Sequence, residues 1–174
     1  MSVRRTAMLQ IAVAFVWLLG GRTAWAQKYE DKEHAELVKA LKAAKVSLGN
    51  GLTASEREGK PISGKFEVDE GKLQLSVYTM KGDKFSEVVV DHKTGKVTKV
   101  EAITSGEDLT AAKMQSEAMA NAKSSLRAAT EKAVSANKGF RAVGVIPAMK
   151  DGHPVADVTL VRGEQFKTVS ERLD

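Results

Sequence analysis

The sequence predicts an α+β fold built from two tandem units, each a helix laid on an antiparallel sheet in two layers. Three observations carry this expectation. Stretches rich in Ala, Lys and Glu, with apolar residues at helical spacing, alternate with stretches of period-two apolarity. Glycine turns cut the period-two stretches into short strands. The order of helix and then strands occurs twice, at a nearly constant offset.

The first segment is expected to be removed. Arg4 and Arg5 precede an apolar run from Ala7 to Gly20, and Ala24-Trp25-Ala26 follows as a small-x-small triplet. Basic, apolar and small-residue regions in that order are the pattern of a secretory signal. The run is shorter than the roughly 20 residues a spanning helix needs. Residues 1–26 are therefore read as a signal peptide cut between Ala26 and Gln27, leaving no stable membrane span. The expected location is periplasmic or secreted.

Removing 1–26 takes away Arg4, Arg5 and Arg22 and no acid, so the net charge falls by three, from +5 to about +2. Nucleic acid is not an expected partner, because binding it needs a basic face. The chain has no cysteine, which excludes disulfides, thiolate metal sites and cysteine nucleophiles. After the signal the aromatics are Tyr29, Phe66, Tyr78, Phe85, Phe140 and Phe166, with no tryptophan. Val, Leu, Ile and Ala must supply most of the core.

The first unit, 27–103, opens with a helical segment from Asp31 to about Glu58. Ala35, Val38, Leu41, Leu48 and Leu52 mark its apolar side. Asp31 is the expected N-cap. Gly49-Asn50-Gly51 interrupts the pattern, since each glycine costs a helix about 1 kcal/mol. Either Ser47 caps a second helix there, or 49–51 is a loop. Phe66 and Val68 then alternate with polar residues, and Glu70-Gly71 turns the chain. Leu73, Leu75 and Val77 share one face of the next strand, with Gln74, Ser76 and Tyr78 on the other. Lys81-Gly82-Asp83 turns again, Phe85 to Val90 form a third strand, and Lys96 to Ile103 a fourth.

Residues 104–106 are the expected linker to the second unit, 107–174. Glu107 to Asn137 is expected to be helical, with Leu109, Ala112, Met119, Leu126, Ala129 and Ala133 along one side. Strands follow from Phe140 to Ile146, where Pro147 is expected to stop pairing. They resume over Val155 to Val161 and Phe166 to Val169. Glu70-Gly71 matches Asp151-Gly152, and Lys81-Gly82-Asp83-Lys84-Phe85 matches Arg162-Gly163-Glu164-Gln165-Phe166, both 81 positions apart. Ser47-Leu48 matches Ser125-Leu126 at 78. Agreement in residue type, order and spacing points to an internal duplication.

Asp91-His92-Lys93-Thr94-Gly95-Lys96-Val97 follows the strand Glu87-Val88-Val89-Val90. In this stretch, and over residues 45–103 as a whole, the chain resembles the PepSY family. The second unit diverges from it, because Ser170 to Asp174 stand where the Asp-x-x-Thr-Gly turn belongs. The resemblance implies a fold similar to that of a duplicated bacterial inhibitor of β-lactamases. It also implies a partner outside the cytoplasm, with secreted peptidases as the class such modules restrain. By turn chemistry Asp91, Thr94 and Gly95 have a structural role: the carboxylate bonds forward to backbone N–H groups, and Gly95 accepts positive φ.

Catalytic chemistry finds little support. His34, His92 and His153 have no metal-ligand spacing. No Gly-x-Ser-x-Gly elbow or phosphate-cradling glycine loop occurs. Paired carboxylates such as Asp69 with Glu70 sit in polar turns. No catalytic residue, metal or cofactor is expected. Tyr78 and Met80, opposite the core side of their strand, are the candidate interaction surface. The competing expectation is that the other unit covers them. The expected function is a non-catalytic exported binding module that restrains or regulates a peptidase. The alternative is a small-ligand or cation-binding periplasmic protein using the cleft between repeats.

Overall fold

The protein is described by a computed structural model covering residues 24–174, with side chains from Asp31 onward. The expected export segment lies outside the described residues up to Thr23. Its cleavage point, Ala26 to Gln27, is described in backbone only.

Short-range chemistry explains most of the elements. Two helices, α1 (Ala24–Leu41) and α2 (Leu48–Ser55), precede four strands: β1 (Lys60–Asp69), β2 (Lys72–Lys81), β3 (Lys84–Val90) and β4 (Val97–Ile103). The pattern repeats with α3 (Gly106–Ala120), α4 (Leu126–Ala136), β5 (Arg141–Lys150), β6 (His153–Arg162) and β7 (Gln165–Arg172). Glu70 and Gly71 both take positive φ, at 47° and 75°, as do Asp151 and Gly152, at 50° and 79°. Two residues of that conformation between antiparallel strands match the right-handed twist of the pair.

All pairings are antiparallel, and the strands form one sheet in the order β4-β3-β2-β1-β5-β6-β7. The class is α+β. The halves meet where Gly64 and Lys65 of β1 pair with Val145 and Gly144 of β5. Gly64 suits this join because α2 presses on it: a Cβ there would lie 3.1 Å from Leu52 Cδ2. Val77, in register with Gly64, and its neighbour Leu75 are fully buried on the same side. Val88, Val145, Val158 and Leu160 extend this core across the sheet beneath α2 and α4.

The geometry of the halves corresponds at the offsets read in the sequence. β1 bulges at Ile62 and β5 at Val143, 81 positions on. Ser47 caps α2 by accepting from Asn50 N–H, and Ser125 caps α4 by accepting from Ala128 N–H, 78 positions on. The His92 carbonyl accepts from Lys45 and Val46, and the Leu173 carbonyl accepts from Lys123 and Ser124.

Several local expectations need correction. Asp31 is not an N-cap; it lies inside α1, which begins at Ala24. Of the two readings of 49–51, the second helix capped by Ser47 is the one found, and the alternative of a loop is not. Gly51 is required there, since a Cβ would stand 2.5 Å from Leu75 Cδ2. The helix expected over 107–137 is two helices, broken at 121–125 and restarted by the Ser125 cap. Ser105 precedes α3, which begins at Gly106, inside the expected linker. Pro147 does not end β5. It pairs with Ala156, and the two-residue turn at 151–152 sets Ile146 and Ala148 as the residues bonding β6. The nitrogen of Pro147 therefore points toward β1, whose ladder with β5 covers only residues 144 and 145, so no bond is lost.

The two longer helices each reach across to strands of the other half. The His34 ring on α1 stacks on Phe166 of β7, centroids 3.9 Å apart. On α3, Gln115 accepts from Ser63 of β1 and Asp108 accepts from Tyr78 of β2. Ser63 and Tyr78 are in register, on the side of the sheet opposite Gly64 and Val77. So α2 and α3 flank β1 and β2 from opposite sides.

Candidate functional site

The side of the first-half sheet that carries Tyr78 is a polar array. Period two places Gln74, Ser76 and Tyr78 on it, and strand register adds neighbours the sequence did not identify: Lys65 and Glu67 from β1, Glu87 from β3, and Lys99 and Glu101 from β4. The side chains are linked to one another. Ser76 donates to Glu67 at 2.9 Å and accepts from Gln74 at 2.7 Å. Lys65 pairs with Glu67 at 2.6 Å, and Lys99 with Glu101 at 2.8 Å. Tyr78 is half-buried, and its hydroxyl donates to Asp108 at 2.9 Å.

The electrostatics follow from this crowding of acids. Burial pushes the Tyr78 phenol above its ordinary value, and the hydrogen bond to Asp108 and the charges of Asp108, Glu87 and Glu67 add to the shift. Burial also raises the Glu87 carboxyl. The Ser76 hydroxyl opposes that rise and the Glu67 charge adds to it. The array thus holds a neutral phenol among carboxylates, and it can donate and accept hydrogen bonds along one rigid surface.

Of the two residues expected as an interaction surface, Tyr78 joins this array and Met80 lies half-buried against the core. α3 of the second half covers this side in part, as the competing expectation had it. The Asp91 motif sits elsewhere, as a closed turn. Its carboxylate accepts from Lys93 N–H, Thr94 N–H and the Thr94 hydroxyl at 3.1, 2.6 and 2.7 Å. Gly95 has a φ of 75° and donates to the Asp91 carbonyl. The Thr94 hydrogen bonds hold the exposed Asp91 carboxyl below its usual range. All three bonds come from within the turn and fall on one oxygen, Oδ1.

Two concavities lie near these features. A cleft of about 610 Å³ runs between Ala40 of α1, Ala43 just after it, the turn at Glu70-Gly71 and the Asp91-His92 segment. A smaller recess of about 220 Å³ lies between the halves, with Leu52, Pro61, Met119 and Leu126 as its apolar wall and Glu56 and Arg127 at its margin. In the second half, Lys150 bonds both Asp157 and Ser170, and His153 and Arg172 converge on Asp174. Strand register brings Lys150 to Asp157 and Ser170, and His153 to the end of β7, where Asp174 follows Arg172. Among the described residues, no group of three or more His, Cys, Asp or Glu side chains is placed to hold a metal ion. No described helix is long and apolar enough to cross a membrane.

Compared with family models, with curated proteins and with solved structures, the chain matches none.

Proposed function

We propose that this chain is an exported, non-catalytic binding module of PepSY type that restrains a peptidase outside the cytoplasm. The carrying observation is the linked array around Tyr78. Its polar groups are held in place before any partner arrives, so docking orders few side chains and costs correspondingly little entropy. Half-buried Tyr78 offers the aromatic contact that interface centres favour. The resemblance of residues 45–103 to PepSY modules supplies the class of partner.

Secreted peptidases assayed with micromolar protein test this reading. Inhibition is expected, and Tyr78→Ala with Glu87→Lys should weaken it at least tenfold while the fold is kept. A panel of secreted metallopeptidases unaffected by the unmutated protein overturns it.

A second reading, a small-ligand carrier, is favoured by the recess between Leu52 and Met119, where an apolar wall meets Glu56 and Arg127. Ligand bound to the native state must raise the melting point. A flat thermal response across a metal and small-molecule panel removes this reading.

A further inference from the structure

We propose that the outer edge of β7 is a docking edge for a second copy of this chain, forming a two-fold dimer in which the sheet runs continuously from one copy into the other.

The turn at Gly163-Glu164 has two residues, and Arg162 pairs with Gln165 across it. Such a turn makes that pair exchange both hydrogen bonds, so Gln165, Lys167, Val169 and Glu171 bond to β6. Phe166, Thr168, Ser170 and Arg172 then turn their N–H and C=O groups away from β6. No described strand borders that side, since β7 ends the sheet. The corresponding residues 81 positions earlier are Phe85, Glu87 and Val89, and their outward groups are covered by β4. The first half closes with its own chain the edge that the second half leaves open.

Two of the usual defences of an edge, a proline and a bulge, are missing. β7 contains no proline, and its register with β6 is unbroken from Gln165 to Arg172. Its lysine does not guard the strand, because Lys167 reaches back to Asn137 and over the Phe140 ring.

The edge is also complementary to itself. Antiparallel pairing about a two-fold axis at Val169 sets Val169 against Val169 of the second copy, and Thr168 against Ser170. Lys167 then faces Glu171, and Phe166 faces Arg172. Within β7 opposite charges face each other twice and no like charges oppose; in its own copy Lys167 also bonds Asn137, Glu171 pairs with Lys132, Arg172 pairs with Asp174 and Phe166 stacks on His34, so the pairing adds to contacts already made. The residues that must form hydrogen bonds in this register, Phe166, Thr168, Ser170 and Arg172, are those with outward groups. Val169 falls in a non-bonded pair, where side chains approach most closely. Sequence alternation, the ladder with β6 and the charge pattern agree on one register.

Amide exchange on the purified protein, expressed from its full coding chain, tests this without mutation. At NMR concentration, sedimentation should give twice the monomer mass, with slowed exchange at Phe166, Thr168, Ser170 and Arg172. A hundredfold dilution should release those four amides, while Lys167 and Val169, bonded to β6, stay protected. Thr168→Pro removes one outward N–H and should give a monomer. Lys167→Glu, which opposes Glu171 of the second copy, should do the same in a fold that carries no new proline. A monomer at the highest concentration overturns the proposal. So does a dimer in which those four amides exchange freely, or one in which Thr98, Val100 and Ala102 of β4 are protected instead.

Discussion

Tyr78 on β2 donates its hydroxyl to Asp108 on α3 at 2.9 Å, across 30 residues of chain and from one half of the protein to the other. Together with the Ser63–Gln115 bond, it ties α3 to that side of the sheet. Removing either partner should loosen α3. Tyr78→Phe deletes one hydrogen bond to a charged group at a half-exposed site, and a loss of about 1 kcal/mol is expected in chemical denaturation. Asp108→Asn keeps an acceptor and should cost less. Equal and negligible effects from both would show that the bond does not hold the helix.

The same phenol should govern behaviour in alkali. Its folded-state pKa lies above the unfolded value of roughly 10, so the unfolded chain loses this proton first. The associated stability is complete below about pH 10 and falls as pH rises beyond it. The denaturation midpoint of the unmutated protein should drop in that range more steeply than that of Tyr78→Phe. A difference absorbance titration of the two folded proteins at pH 10 should show no phenolate from Tyr78. A full phenolate signal there would contradict the buried, acid-flanked setting.

Gly51 makes a packing prediction that runs against helix propensity. Alanine in the middle of a helix ordinarily gains about 1 kcal/mol over glycine. Here the added Cβ would lie 2.5 Å from Cδ2 of the fully buried Leu75. Overpacking of that kind costs about 1–3 kcal/mol, so Gly51→Ala should lower the melting point. A rise would mean that Leu75 has room to move.

Asp91 should make the first half sensitive to acid. Its carboxyl is held below the ordinary range by Thr94, so the turn is intact at neutral pH. It loses its contribution as pH falls below the unfolded aspartate value, about 3.9, toward the lower folded one. Asp91→Ala should lower the melting point at pH 7 and flatten its decline in acid. Thr94→Val should do part of the same, since it removes one of the three donors. A melting curve for Asp91→Ala that still declines in parallel with the unmutated protein would place the acid response elsewhere.

Leu48 and Leu126 open α2 and α4 at corresponding positions and are almost fully buried, at 1% and 2% exposure. Truncating either to alanine should cost about 2–5 kcal/mol. Because the two helices share one core, each variant should unfold in a single transition monitored by denaturant. Two separated transitions would show that the halves fold independently of the common sheet.

Much of the strand architecture was legible in advance because period two and paired glycine turns are local signals. The Leu75 and Val77 face, the turns at Gly71, Gly82, Gly95, Gly152 and Gly163, and the Ser47 cap need only neighbours in sequence. The errors arose where distant atoms decide. Glu107 to Asn137 reads as one helix until the break at 121–125 is seen, where Lys123 and Ser124 bond the distant Leu173 carbonyl. Pro147 looks like a strand end until β1 is seen to leave its nitrogen side unpaired. Gln74, Ser76 and Tyr78 were assigned to one side correctly, but Glu67, Glu87 and Asp108 join them only through register and helix crossing.

The sequence by itself determined the α+β class, the order of the strands along the chain and the offsets of 78 and 81 between matching residues, since each rests on the φ preferences of glycine and on the alternation of apolar residues. Tertiary structure alone decided that seven strands form one sheet, that α3 crosses to Tyr78, and that among the described strands β4 and β7 are the two edges of that sheet. Those outcomes depend on which of several equally polar strand edges meet, and edge pairing is set by backbone hydrogen bonds that carry no side-chain signature.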